Sequence, residues 1–166
     1  MERAQKLTKE TVKEYKNGGK LETYAIIDKS TDDYKRIEKT AMDFAKRGEQ
    51  VVITPKFDSP KNCPDYDNIY GSLKGTKYYG KCPDFKVGNV WYEHEGFTGK
   101  NPKSSFRNMC NHGLKQSDRI IIEDCGLTDG YMYRSILSRV VRGENIKEVW
   151  IRKDKKIRVL YKAESQ

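Results

Sequence analysis

Asp84, Glu93 and Glu95 are the residues whose types and spacing point most directly to chemistry. They fall in the segment Pro83-Asp84-Phe85-Lys86-Val87-Gly88-Asn89-Val90-Trp91-Tyr92-Glu93-His94-Glu95, two alternating runs joined by Gly88-Asn89, which is the pattern of a β-hairpin. A two-residue turn there pairs Lys86 with Trp91 and Asp84 with Glu93, and the side-chain period of two puts Glu95 on the same face. Like charges directly opposed across strands are destabilising, so three crowded carboxylates require an offset. A divalent cation is the simplest one. Hard oxygen ligands suit Mg²⁺ or Mn²⁺, and such an ion polarises a phosphoryl oxygen and makes a bound water nucleophilic. The implied chemistry is phosphodiester hydrolysis; the alternative is a polar outer face neutralised by nearby Lys and Arg.

Glu38 is a further candidate ligand, because it lies among the apolar positions Tyr34, Ile37, Ala41, Met42 and Ala45 of a helical repeat. The competing reading has it border that stripe and meet solvent. Cationic partners for a developing phosphorane charge are Lys86, on the face of Asp84, and Lys100, Lys103 or Arg107 around the start of the next helix. Each of these, taken singly, also reads as solvated surface charge. His94 alternates to the opposite face with Val90 and Tyr92 and reads as a packed histidine, and His112 carries no stronger signal.

A second constellation lies upstream. Tyr66, Tyr70, Tyr78 and Tyr79 are interleaved with Lys61, Lys74, Lys77 and Lys81, a combination able to stack bases while cations hold phosphates. An ordered loop whose tyrosines cover the core fits the same residues. Lys74, Lys77, Tyr78, Tyr79, Lys100, Arg107 and Lys115 are the candidate nucleic-acid contacts.

The elements that must position these groups follow from periodicity and punctuation. Leu7 to Lys16 reads as a short helix stopped by Asn17-Gly18-Gly19, and Leu21 to Ile27 as a strand, together an N-terminal preface over residues 1–29. Ser30 or Thr31 caps a helix to Lys46. Gln50 to Thr54 is a strand ended by Pro55, followed by a turn-rich stretch to Lys81. After the hairpin, Asn101-Pro102 opens a helix to Lys115, Arg119 to Glu123 is a strand, and Asp129 caps a helix through Arg142. Strands at Ile146 to Arg152 and Lys156 to Tyr161 close the chain. The expectation is a single α/β domain, residues 1–166, with a central mixed sheet flanked by helices and a core over 31–162 ordered α-β-β-β-α-β, then α-β-β.

Bulk properties narrow the setting. With 166 residues, 34% charged and 36% hydrophobic, the chain is polar for a globular domain yet outside the disordered class. Lys plus Arg total 33 against 24 for Asp plus Glu, a net charge of +9 that favours a polyanionic partner such as RNA or DNA. No apolar run approaches the roughly 20 residues needed to cross a bilayer, and Met1 to Lys13 is charged, so the expectation is a cytoplasmic protein without a membrane partner. Cys63, Cys82, Cys110 and Cys125 form no C-x-x-C pair and read as reduced thiols.

Pro83-Asp84 followed by Glu93-x-Glu95, on an α-β-β-β-α-β frame, resembles the PD-(D/E)xK nuclease superfamily, and within it the C-terminal tRNase domain of contact-dependent growth-inhibition toxins. The resemblance spans roughly residues 31 to 162 and includes Ala45-Lys46-Arg47-Gly48, the strand at Val51 to Thr54 and Ile120-Ile121-Ile122. It also extends to proteins of bacterial mobile elements. The resemblance implies that Asp84 and Glu93 hold the metal, that Glu38 is the helix-borne acid, and that position 95 carries the catalytic lysine. Here that position is Glu95, which implies either that the lysine has migrated, with Lys86 or Lys103 as candidates, or that it has been lost. The expected function is therefore a Mg²⁺-dependent nuclease-like toxin domain preferring RNA, tRNA first, over DNA, with an acidic immunity protein as partner. The alternative is a non-catalytic nucleic-acid-binding or accessory protein of a mobile element with a degenerate nuclease fold.

Overall fold

The structure, a computed structural model, describes residues 7–97 and 99–164. It is an α/β fold of eight strands with both parallel and antiparallel pairs in each half of the chain. The residues divide into two compact units, the first ending at Trp91 and the second beginning at Tyr92.

The first unit opens on β1 (Lys9–Glu14), a strand where the sequence pattern predicts a helix. Thr11 and Val12 are β-branched and favour the pleated form, and the segment pairs antiparallel with β2 (Lys20–Tyr24) through a bulge between Thr11 and Lys13. Its alternation of Lys and Glu, nearly all exposed, is the composition that keeps an edge strand from pairing further. Residues 1–6 of the expected preface lie outside the described residues.

Helix α1 (Asp32–Ala45) is capped by Thr31, whose hydroxyl accepts from the Tyr34 amide at 3.1 Å, and it carries β2 over to the parallel strand β3 (Gln50–Ile53). Its apolar stripe of Tyr34, Ile37, Ala41, Phe44 and Ala45 is buried, and Phe44 meets Phe85 with ring centroids 5.8 Å apart. Gly19 is required where the loop before β2 meets the end of α1: a Cβ there would lie 1.9 Å from the carbonyl oxygen of Ala45. Strand β4 (Phe85–Val87) pairs antiparallel with β3, Ile53 opposite Phe85 and Val52 opposite Lys86.

The turn-rich stretch is more structured than the sequence suggests. It holds the short helix α2 (Tyr66–Tyr70) between single 3₁₀ turns at Pro60–Asn62 and Gly71–Leu73. Tyr66 and Tyr70, both fully buried, stack with centroids 4.9 Å apart, and Tyr70 lies 4.8 Å from Trp91. With Leu73, Tyr78 and Cys82 they form a small aromatic core.

In the second unit, the end of β5 (Val90–Glu95) from Glu93 on, β6 (Arg119–Glu123) and β7 (Glu148–Lys153) are parallel, and β8 (Lys156–Lys162) returns antiparallel. The β7–β8 turn uses positive φ at both Asp154 and Lys155, 52° and 64°, the requirement of a type I′ hairpin. Helices α3 (Pro102–Gly113) and α4 (Asp129–Val141) make the crossovers. Asn101 caps α3 as expected, whereas α4 is capped by Thr128 rather than Asp129, its hydroxyl accepting from the Tyr131 amide. Phe106, Met109 and Cys110 of α3, Met132 and Ile136 of α4, and Ile120, Ile122, Val149 and Ile151 of the sheet form the core of this unit.

Candidate functional site

Asp84 sits just before β4 and is 4% exposed, a burial that a carboxylate tolerates only with a partner. One partner is Lys56, a residue that carries no motif signal in the sequence. Lys56 Nζ donates to Asp84 Oδ1 at 2.6 Å and to the Cys82 carbonyl at 2.6 Å. The surrounding backbone is pinned: the Thr54 amide donates to the Asp84 carbonyl at 3.1 Å, the Thr54 hydroxyl to the Pro83 carbonyl at 2.8 Å, and the Tyr70 hydroxyl to the Pro55 carbonyl at 2.8 Å. Asp84 and Lys56 thus stand where β3 ends and β4 begins, held by hydrogen bonds among the segments that carry them. Lys56 is half exposed and lines a cleft of about 250 Å³ together with Thr31, Tyr34, Ile37, Ile53 and Thr54. The lysine had no periodic or motif signal, because Thr54-Pro55-Lys56 follows a strand without belonging to it.

Glu38 lies on α1, half-buried. Burial pushes the Tyr34 phenol up, and the nearby Glu38 carboxylate pushes it further in the same direction. Lys86 places its Nζ 5.1 Å from the Trp91 ring centroid, so these two share a face as the hairpin register requires.

In the second unit, Glu93 pairs in register with Ile120 and Glu95 with Ile122, which puts both carboxylates on the face that carries α3. Glu93 is 5% exposed. Glu95 reaches the end of α3, where its Cγ would lie 3.0 Å from a Cβ added at Gly113. His94 faces the other way, as expected, and its buried Nε2 lies 2.9 Å from Glu123 Oε1, with Arg152 Nη1 3.6 Å from the same oxygen. Burial acts to raise the Glu123 carboxyl, but His94 and Arg152 together hold it below the usual range. Among the described residues no group of three or more His, Cys, Asp and Glu side chains is placed to hold a metal ion.

The other candidates are placed as follows. Lys103 Nζ stands 5.2 Å over the Tyr131 ring, and Lys100, Arg107 and Lys115 are exposed. Of the four tyrosines, Tyr66, Tyr70 and Tyr78 cover the core, leaving Tyr78 only 6% exposed under the Lys77 ammonium, 5.1 Å away. Tyr79 donates its hydroxyl to Asp67 at 2.7 Å, and Lys74 pairs with the same carboxylate at 3.2 Å.

No protein family matches the chain, and no curated protein does. A solved structure does. One chain of the CdiA-CT/CdiI toxin and immunity complex from Burkholderia pseudomallei matches 82% of this chain and 93% of its own length, with 16% sequence identity and a TM-score of 0.50. At that identity the likeness is one of fold, and it extends the α/β assignment to most of the chain. No helix among the described residues is long and apolar enough to cross a membrane.

Proposed function

We propose that this chain is a nuclease-like effector domain of the toxin type, acting on phosphodiester bonds of RNA in preference to DNA. The observation that carries the proposal is the Lys56–Asp84 pair beside an open cleft. An acid and a lysine in contact are the chemical elements that the PD-(D/E)xK pattern joins, and Lys56 supplies a lysine where Glu95 stands in the motif. A fixed ammonium stabilises charge developing on a phosphoryl oxygen, and a buried carboxylate keeps that ammonium oriented. The net charge of +9 supports a polyanionic substrate and an acidic protein partner, and the fold likeness to a chain of a toxin and immunity complex supports the toxin setting.

Mg²⁺ or Mn²⁺ remains the proposed cofactor, with Asp84 and Glu38 as the ligands of first interest in the first unit and Glu93 as a separate candidate in the second. The described residues present no ready three-ligand group, and the Lys56 ammonium would act on phosphoryl charge directly. Glu95, standing where the motif carries a lysine, favours a second reading, a non-catalytic nucleic-acid-binding protein of a bacterial mobile element.

Incubating the protein with tRNA, single-stranded RNA and duplex DNA, with Mg²⁺ or with EDTA, separates the two. Cleavage that is lost in EDTA and in Asp84→Asn supports the nuclease. Retention on RNA with no cleavage under any condition supports the binding protein.

A further inference from the structure

Where β6 and β7 begin and β8 ends, the second unit holds a polar cleft of about 680 Å³. Arg119 opens β6, Glu148 opens β7 and Lys162 closes β8, and the strand register sets the three side by side across one face of the sheet. Glu148 is 7% exposed and saturated: its Oε1 accepts from the Tyr92 hydroxyl at 2.8 Å and from Trp150 Nε1 at 3.0 Å, and its Oε2 from Arg119 Nε at 2.6 Å. Asp118 takes Arg119 Nη1 at 3.2 Å. Two of the five guanidinium N–H donors are thus spent on carboxylates that lock the plane of the group, and the rest of the fork is available to a ligand.

The cleft is lined by three cations, Arg119, Lys147 and Lys162, and three carboxylates, Glu144, Glu148 and Glu164, so its preference for an anion rests on how these are paired. Its acids are committed: Glu148 to three donors, and Glu144 to Arg139 at 3.3 Å. Glu164 is the remaining lining carboxylate. Against it stand Lys147 and Lys162, both exposed, neither with an ion-pair partner among the described residues. The backbone beneath them is fixed, the Lys147 amide donating to the Asp118 carbonyl at 2.8 Å and the Ala163 amide to the Lys147 carbonyl at 2.8 Å.

We infer that this cleft is a phosphate-binding subsite for a nucleic-acid strand, with Arg119 as an oriented fork and Lys147 and Lys162 as flanking point charges. The inference rests on the nucleic-acid reading above, but it uses none of the residues assigned there to catalysis.

The test is fluorescence anisotropy of a labelled single-stranded RNA 12-mer between 50 and 200 mM KCl. Lys147→Glu/Lys162→Glu is compared with Lys9→Glu/Lys13→Glu, an exposed pair on β1 that changes net charge equally. The cleft pair is expected to weaken binding at least tenfold more than the β1 pair. It is also expected to flatten the slope of log affinity against log salt by about 1.4, two contacts at about 0.7 each. Equal losses in the two doubles would overturn the subsite while leaving the nucleic-acid reading standing. Failure of the unmodified protein to bind RNA at 50 mM KCl would overturn both.

Discussion

Lys56 Nζ lies 2.6 Å from Asp84 Oδ1 and 2.6 Å from the Cys82 carbonyl, so one half-exposed ammonium anchors a buried carboxylate and a piece of backbone together. Lys56→Met removes the ammonium and leaves Asp84 short of a charged partner inside the fold. The expected loss is about 1–3 kcal/mol, below the range for fully buried pairs because Lys56 is partly solvated. A drop in the urea midpoint measures it, and an unchanged midpoint would show that the contact contributes nothing.

Asp84→Asn keeps an acceptor for Lys56 while removing the charge. It is therefore expected to retain most of the stability and, under the proposed nuclease function, to lower RNA cleavage by about 100-fold or more, the scale for an electrostatic group acting in the transition state. Single-turnover cleavage of tRNA reads the rate, and circular dichroism reads the fold. Wild-type cleavage in a folded Asp84→Asn protein would remove the pair from the chemistry.

Much of this arrangement is legible in the sequence, and the exceptions share a cause. The helices over Asp32–Ala45 and Pro102–Gly113 carry strong apolar stripes and side-chain caps, and the strand Arg119–Glu123 carries three consecutive isoleucines. Those are local signals. Lys9–Glu14 is a strand because a partner strand pairs with it, and a run of Lys, Glu, Thr and Val does not announce that pairing. The tyrosines at 66, 70 and 78 have the same composition whether they cover a core or face a base, and only tertiary packing separates the two. Lys56 is 28 residues from Asp84 in sequence and follows a strand end, so nothing local tied it to the acid. The face of Glu93 and Glu95 was legible, since strand alternation sets it, whereas their burial depends on the helix that packs there.

Close approach at two glycines gives an ordered pair of outcomes. In Gly19→Ala the new Cβ would stand 1.9 Å from a backbone oxygen of Ala45, which cannot rotate away. In Gly113→Ala the Cβ would meet Glu95 Cγ and Ile120 Cγ2, each at 3.0 Å, and the helix propensity of Ala offsets part of that crowding. Gly113→Ala is expected to lose about 1–2 kcal/mol in urea unfolding, and Gly19→Ala more than about 3 kcal/mol. A smaller loss in Gly19→Ala than in Gly113→Ala would contradict the packing at the end of α1.

Glu123 links stability to pH. Its carboxyl is held below the ordinary value of 4.5 in the folded state, with His94 and Arg152 opposing the effect of burial. A depressed folded pKa contributes stability that is complete above the unfolded value and disappears as pH falls through the folded one. Between pH 7 and pH 3 the wild type should therefore lose more unfolding free energy than Glu123→Gln, with the gap opening below about pH 4.5. Parallel curves for the two proteins would mean that His94 and Arg152 do not hold the charged form.

The thiols differ in reach and in acidity. Cys110 is fully buried in the second unit's core, and burial pushes its thiol up to about 12. At pH 8 that leaves about one thiolate in ten thousand, and the thiolate is the reacting species. Burial also raises Cys82 and Cys125, whereas Cys63 lies half-buried at the edge of the aromatic core. Brief exposure of the folded protein to N-ethylmaleimide should therefore add one group, at Cys63, with further additions appearing only in denaturant. Intact and peptide mass spectrometry reads both. Labelling of Cys110 as fast as Cys63 without denaturant would show that the core between α3, α4 and the sheet opens far more readily than its packing implies.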